Sequence, residues 1–157
     1  MEVTATLEKE GRQLCALVNN AGISGMDKTR TLDIVGPEHY LSVLGTNVVG
    51  MARATDAFLP MLQQCPGARI VNVGSYFGDL APGLRYIAPY VASKFAVEGL
   101  TDVWRRSLAS SSIAVSLIKP GDFSTRMKRV MSCRTRRPHS NYRSLDLPLR
   151  LNSHRSA

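Results

Sequence analysis

An α/β fold built on a parallel sheet is predicted by three features of this 157-residue chain: three short apolar runs, two long segments of helical periodicity, and the strict alternation of the two kinds. The apolar runs are "LCALVNN" (14–20), "ARIVNVGS" (68–75) and "SSIAVSLIKPG" (111–121), each bounded by Gly, Pro, Asn or Ser. Their nearly continuous Val, Ile and Leu content is the pattern of strands buried on both faces. The first helical segment, about 41–64, spaces Leu44, Val48, Met51, Ala52, Leu59 and Leu62 by threes, fours and sevens, and Pro66-Gly67 stops it. The second, about 89–110, does the same with Val91, Phe95, Leu100, Val103, Trp104 and Leu108.

Strand, helix, strand, helix, strand is a βαβαβ unit, and right-handed crossovers make its strands parallel. The expectation is a Rossmann-like half-fold of three layers spanning residues 1–130. Beyond 130 the apolar pattern dissolves into Ser, Arg and Pro, so residues 131–157 are expected to form a basic, disordered tail.

Composition narrows the function classes. Hydrophobic residues make up 44% and charged residues 20%, a balance suited to one soluble domain. No stretch approaches the roughly 18 apolar residues of a membrane span. The polar start "MEVTATLEKEGRQ" lacks the form of a secretory signal, which points to the cytoplasm or an organelle matrix. The net charge of +8 is not a property of the body. Residues 1–125 carry 11 basic and 11 acidic side chains, whereas 126–157 carry nine basic ones against Asp146. A basic tail with Tyr142 as its single aromatic residue and no recognised module does not imply specific nucleic-acid binding. Cys15, Cys65 and Cys133, odd in number and without CxxC spacing, read as reduced thiols. His39, His139 and His154 show no metal-ligand spacing.

The chemistry is concentrated in "YVASK" (90–94). On a helix, residues four apart share a face, which sets the Lys94 ammonium beside the Tyr90 phenol. Bringing a phenol from its usual pKa of about 10 to about 7.5 takes about 3.4 kcal/mol. A cation about 5 Å away at an effective dielectric of about 20 supplies roughly 3 kcal/mol. The spacing alone is common, and two polar positions on a solvated face fit it equally. Ser75 also suits a plain strand end, and Asn47 an ordinary polar position in a helix. Tyr76 and Phe77 read equally as core or as substrate wall. Tyr86, the rival to Tyr90, is followed four residues later by Tyr90 itself and not by a lysine. "GISGMDKT" lacks the Gly-Lys-Ser/Thr ending of a phosphate loop.

Order and spacing separate these alternatives. "LVNNAG" (17–22), "GTNVVG" (45–50), "VNVGSYFG" (71–78), "YVASKFAVEGL" (90–100) and "KPGDFST" (119–125) fall along the βαβαβ frame as in the short-chain dehydrogenase/reductase family, which residues 14–127 resemble. A looser similarity, in "ATDAFLPMLQ" and "VEGLTD", is to the hydroxysteroid, retinol and hydroxybutyrate dehydrogenase branches. The resemblance implies an NAD- or NADP-dependent oxidoreductase that interconverts a secondary alcohol and a ketone. Tyr90 would be its general acid/base and Lys94 would lower the phenol's pKa and bind the nicotinamide ribose. Ser75 would polarise the substrate carbonyl, and Asn47 would anchor a water leading from Lys94 to solvent. Asn19, Asn20, Ala21 and Gly22 match the family's adenine-side turn; Pro120, Gly121 and Thr125 match its nicotinamide-side segment. The cofactor set is thus Asn19, Ala21, Gly22, Asn47, Tyr90, Lys94, Pro120, Gly121 and Thr125. Gly74 stands where the family often has another Ser, and the Ser75–Tyr90 interval is slightly long.

No Gly-rich dinucleotide turn occurs in this sequence. The resemblance would place such a turn about 70 residues' worth of fold ahead of "LVNNAG". Without its roughly three charge-assisted bonds, cofactor binding would weaken more than a thousandfold. The chain therefore reads as the catalytic half of a dehydrogenase, with a bare edge on its first strand. The alternative is a non-catalytic fragment acting as an interaction protein. Both imply association through the two long helices, by which family members commonly dimerise.

Overall fold

The computed structural model describes residues 2–25, 35–81 and 85–121. The expected tail, the domain boundary at 130, Thr125 and Cys133 lie outside them.

The three predicted strands form: β1 (Ala16–Asn19), β2 (Arg69–Val73) and β3 (Ala114–Ile118). They make one parallel sheet in the order β1-β2-β3, with Leu17 opposite Ile70 and Ile70 opposite Val115. Helix α1 (Glu2–Lys9) precedes β1, in a stretch too polar to suggest a buried element. The first long helical segment is three pieces run together. Helix α2 (Pro37–Leu44) leads into a π-helical turn (Gly45–Gly50), and α3 (Met51–Gln63) follows. The second is α4 (Ala88–Ser107), entered through a short 3₁₀ turn at Arg85–Ile87.

The core lies between the sheet and α3, where Leu62, Cys65, Ala68, Ile70, Ile113 and Val115 pack together. Phe58, Trp104 and Leu108 close over it. One polar ladder ties both long helices to this same face. Asn19 Nδ2 donates to Thr55 Oγ1 of α3 (3.0 Å) and to Asn72 Oδ1 (2.9 Å), and Asn72 Nδ2 donates to Thr101 Oγ1 of α4 (2.9 Å). Because Asn19 and Asn72 are register partners, with one side chain reaching α3 and the other α4, both helices share one face of the sheet. The opposite face has no cover among the described residues: Val18 is 59% and Ile118 52% exposed. The expectation of strands buried on both faces thus holds for one face here, and the described layers are two.

The helix stripes also differ from the apolar pattern. The buried line of the first segment is Val43, Asn47, Met51, Thr55 and Leu62. On α4 it is Tyr90, Ser93, Lys94, Val97 and Thr101, while Phe95 (45%) and Val103 (59%) face outward. Polar side chains that find partners are as buried as apolar ones, and a purely hydrophobic stripe misses them.

The expectation of reduced thiols is overturned for Cys15 and Cys65. Cys15 and Cys65 form a disulfide with Cα atoms 5.4 Å apart. Fifty residues separate them in sequence, but parallel pairing places the start of β1 beside the start of β2. There the Arg69 N–H donates to the Cys15 carbonyl (3.0 Å), and Cys65, at the end of α3, is four residues away.

Candidate active site

The carboxyl ends of parallel strands open onto the first turns of the helices that follow, and ligands of such sheets bind there. Here three strand ends and α4 converge. Past β1, Asn20 and Ala21 are exposed, and Gly22 tucks against the first helical segment; a Cβ on it would stand 3.3 Å from Asn47 Oδ1 and 3.8 Å from Lys94 Nζ. Past β2, Ser75 caps a 3₁₀ turn (Tyr76–Gly78) by accepting from the Phe77 N–H at 3.2 Å. Past β3, the Pro120 carbonyl accepts from the Tyr76 N–H (3.2 Å), which holds the Pro120-Gly121 segment beside the Ser75 turn.

Helix α4 delivers Tyr90 and Lys94 to this point on one face, as the four-residue spacing predicts. The Lys94 ammonium stands 5.5 Å from the centroid of the Tyr90 ring and donates to the Val73 carbonyl at the end of β2 (2.9 Å). Both side chains are buried. Burial pushes the Tyr90 phenol above its ordinary pKa, and the Ser75 hydroxyl, interacting with it, draws it part of the way back. Burial pushes Lys94 below its ordinary value. The expected lowering of the phenol by Lys94 is thus not the leading effect. The ammonium and the phenol are withdrawn from water together, and desolvation disfavours the charged form of each.

Asn47 ties the loop after β1 to this helix. Its Oδ1 accepts from the Ile23 N–H (2.8 Å), while its Nδ2 donates to the Ile23 carbonyl (2.9 Å) and to Ser93 Oγ (2.9 Å). Both amide protons are taken, and the side chain staples the 21–23 loop to α4. The side-chain amide of Asn19 is likewise occupied by the ladder and shapes the end of β1. Tyr86 lies in the turn before α4; it is Tyr90 that meets Ser75 and Phe77.

The sequence reading missed two supports of the site, Gly25 and Lys119, and left a third, Phe77, between core and substrate wall. Phe77 packs its ring at 84° to that of Tyr90, with centroids 6.3 Å apart. Gly25, at φ +67, seats the 21–25 loop on Val43 and His39. Lys119 bridges Asp79 (2.5 Å) and Glu98, clamping the end of β3 to the Ser75 turn and to α4. The signal for Lys119 was its place directly before Pro120-Gly121; its partners are 40 and 21 positions away and carry no mark in the sequence. Among the described residues, no three His, Cys, Asp or Glu side chains gather as metal ligands would.

The sequence pattern of the short chain dehydrogenase family matches residues 1–134. A 3β-hydroxysteroid dehydrogenase of Caenorhabditis elegans is 38% identical over 125 residues, which are 80% of this chain and 31% of that protein. The mitochondrial D-β-hydroxybutyrate dehydrogenase of Bos taurus is 36% identical over 121 residues, 77% of this chain and 33% of its own. The chain therefore spans about a third of the length of the curated relatives it matches. Among solved structures, a gluconate 5-dehydrogenase of Burkholderia cenocepacia, crystallised with NADP and tartrate, superposes with a TM-score of 0.69 at 29% identity, over 80% of this chain and 47% of that one. A short chain dehydrogenase of Salmonella enterica gives 0.73 at 25% identity, over 85% and 53%. With the pattern matched over most of its length and the fold shared with solved members, the chain belongs to the short chain dehydrogenase family.

Proposed function

We propose that this chain carries the catalytic half of an NAD- or NADP-dependent oxidoreductase that interconverts a secondary alcohol and a ketone. One observation carries the reading: Ser75, Tyr90 and Lys94, from separate turns of the chain, meet at the open ends of the strands with the phenol in reach of the serine hydroxyl. Oxidation of such an alcohol removes a hydride from carbon and a proton from oxygen. A nicotinamide held there would supply the hydride acceptor, or the donor in the reverse direction. Tyr90 Oη handles the proton, and Ser75 Oγ orients the reacting oxygen. Tyr90 Oη donates its proton to a ketone oxygen in one direction and takes one from the alcohol in the other, a task that favours a pKa near the working pH and that burial of the phenol works against. Lys94 has donors beyond the one given to Val73 for the ribose hydroxyls.

The residues present fit the cofactor, with the turn matched to the family's adenine side reaching Lys94 at one end. The cradle at Gly22 is one that a Cβ would crowd, the Lys94 ammonium lies beside it, and the exposed Gly121 follows β3. Ala21 and Pro120 line the same mouth by their backbone; Thr125 belongs to the same proposal on sequence alone. The test joins the chain to a relative's preceding segment and measures alcohol-dependent nicotinamide reduction. Tyr90→Phe is expected to lower the rate by about 10²–10⁴-fold; a loss of less than about tenfold refutes the assignment.

We further propose self-association through the outward face of α4, where Ala92, Phe95, Gly99 and Val103 recur at helical spacing and are exposed. This also supports the reading of an interaction protein without catalysis. Phe95→Glu is expected to halve the mass seen by light scattering; an unchanged mass refutes it. The Cys15–Cys65 disulfide weighs against the reducing cytoplasm expected from the sequence, since such bonds persist in oxidising surroundings.

A further inference from the structure

We infer that Phe77 is a positioning residue for both halves of the proton-handling pair: its N–H holds the Ser75 oxygen, and its ring holds the Tyr90 ring upright and dry. The inference rests on the reading of Tyr90 given above and extends it to a residue outside the Ser75, Tyr90 and Lys94 set.

The backbone comes first. Ser75 Oγ accepts from the Phe77 N–H at 3.2 Å. With one lone pair so engaged, the Ser75 oxygen is fixed in place while its own hydrogen stays available to the phenol with which Ser75 interacts. The ring comes second. The rings of Phe77 and Tyr90 meet edge to face at 6.3 Å between centroids, and the Tyr76 ring backs Phe77 from 4.1 Å. The turn bearing these rings is pressed on α4: a Cβ at Gly78 would stand 3.3 Å from the Lys94 carbonyl and 3.2 Å from Glu98 Oε2. Phe77 therefore has little room to swing away. The side chain of a tyrosine on a helix has two torsions, and burial among neighbours selects their values. Phe77 is the aromatic neighbour that meets the ring directly.

The charged groups on the elements packed about Tyr90 are few among the described residues. Lys94 lies on its own helix at 5.5 Å from the ring centroid. Glu98 of α4, Asp79 after the turn and Lys119 at the end of β3 are paired with one another. Desolvation is therefore the main influence that a change at Phe77 alters. A side-chain substitution keeps the backbone donor to Ser75, so the two contributions separate.

The experiment labels the chain with 3-fluorotyrosine, which titrates at lower pH than tyrosine, and follows each phenol by ¹⁹F NMR. The resonance lost in Tyr90→Phe identifies Tyr90. Phe77→Ala admits water to the ring and is expected to lower its midpoint by about half a pH unit or more, with Phe77→Leu shifting it less in the same direction. Phe77→Tyr, which restores a ring, is expected to return it, and Ser75→Ala to raise it. Should Phe77→Ala not fold, Phe77→Leu carries the comparison. Folded Phe77 variants with an unmoved Tyr90 midpoint overturn the inference and leave the role of Tyr90 intact. A Tyr90→Phe enzyme that keeps its rate overturns that role and leaves the ring contact intact.

Discussion

Asn47 grips Ile23 from both sides of its peptide backbone, accepting from the N–H at 2.8 Å and donating to the carbonyl at 2.9 Å. That is how one strand imitates the bonding of its neighbour, except that here a single side chain plays the neighbour and extends the order of β1 into the loop beyond it. The third bond, to Ser93 Oγ, ties this loop to the helix bearing Tyr90 and Lys94. Asn47→Asp keeps the acceptor but sets a second oxygen against the Ile23 carbonyl. It is expected to destabilise the fold by about 1–3 kcal/mol, the cost of leaving a buried polar group unpaired. Urea unfolding checks this, and a loss below about 0.5 kcal/mol would show that the loop re-forms without the staple.

Lys94 tests whether the site opposes stability. Its ammonium is buried on a carbonyl, and no carboxylate ion pair to it occurs among the described residues; burial lowers its pKa. A depressed value in the folded state means that folding disfavours the charged form. The penalty operates at neutral pH and disappears above the unfolded lysine's pKa of about 10.4. Lys94→Met is expected to raise stability at pH 7 on the order of 1 kcal/mol while abolishing nicotinamide-linked activity. The gain should vanish when unfolding is repeated above about pH 10.4. A variant less stable than the parent at pH 7 would show that the bond to Val73 outweighs the desolvation.

The disulfide closes a loop across a sequence separation of 50 and anchors the end of α3 to the start of β1. Chain-entropy reasoning assigns such a loop about 4 kcal/mol. Reduction, or Cys15→Ser, is expected to lower the unfolding free energy by about 2–4 kcal/mol. Because the bond sits at the amino ends of the strands, away from Ser75 and Tyr90, a variant that stays folded should keep the Tyr90 environment. Thermal unfolding with and without reductant, alongside the Tyr90 resonance, measures both; equal stabilities would mean the bond is not formed in solution.

What the sequence made legible was whatever is local. Each strand lay where apolar runs met Gly, Pro or Ser, and Tyr90 and Lys94 shared a face because helical spacing requires it. What stayed hidden was whatever depends on strands becoming neighbours. Cys15 meets Cys65, and Lys119 meets Asp79 and Glu98, only after the sheet is assembled. The burial of Asn47, Thr55, Asn72 and Thr101 is invisible to a hydrophobic pattern, since each is buried by virtue of a partner on another element. The π-helical turn at 45–50 compounds this. It interrupts the α-helical run where Asn47 lies, and the buried line there passes through Val43 and Asn47, while Leu44 and Val48 are half-buried.

Gly25 offers the sharpest check on how the loop after β1 is held. Its φ of +67 lies in the left-handed region, and an added Cβ would collide with Val43 Cγ2 and reach His39 Nε2 at 3.0 Å. Val43 does not yield easily, because it is fully buried. Gly25→Ala combines a left-handed penalty of roughly 1–2 kcal/mol with an overpacking cost of roughly 1–3 kcal/mol. Part of this is expected to be relieved by lifting the 21–25 loop off α2, which strains the Asn47–Ile23 grip and moves Gly22 away from Lys94. A stability loss of about 2–4 kcal/mol is therefore expected together with faster amide exchange at Ile23. Val43→Ala in the same chain creates the missing space and should recover part of the loss. If it does not, backbone conformation alone sets the requirement for glycine at this position.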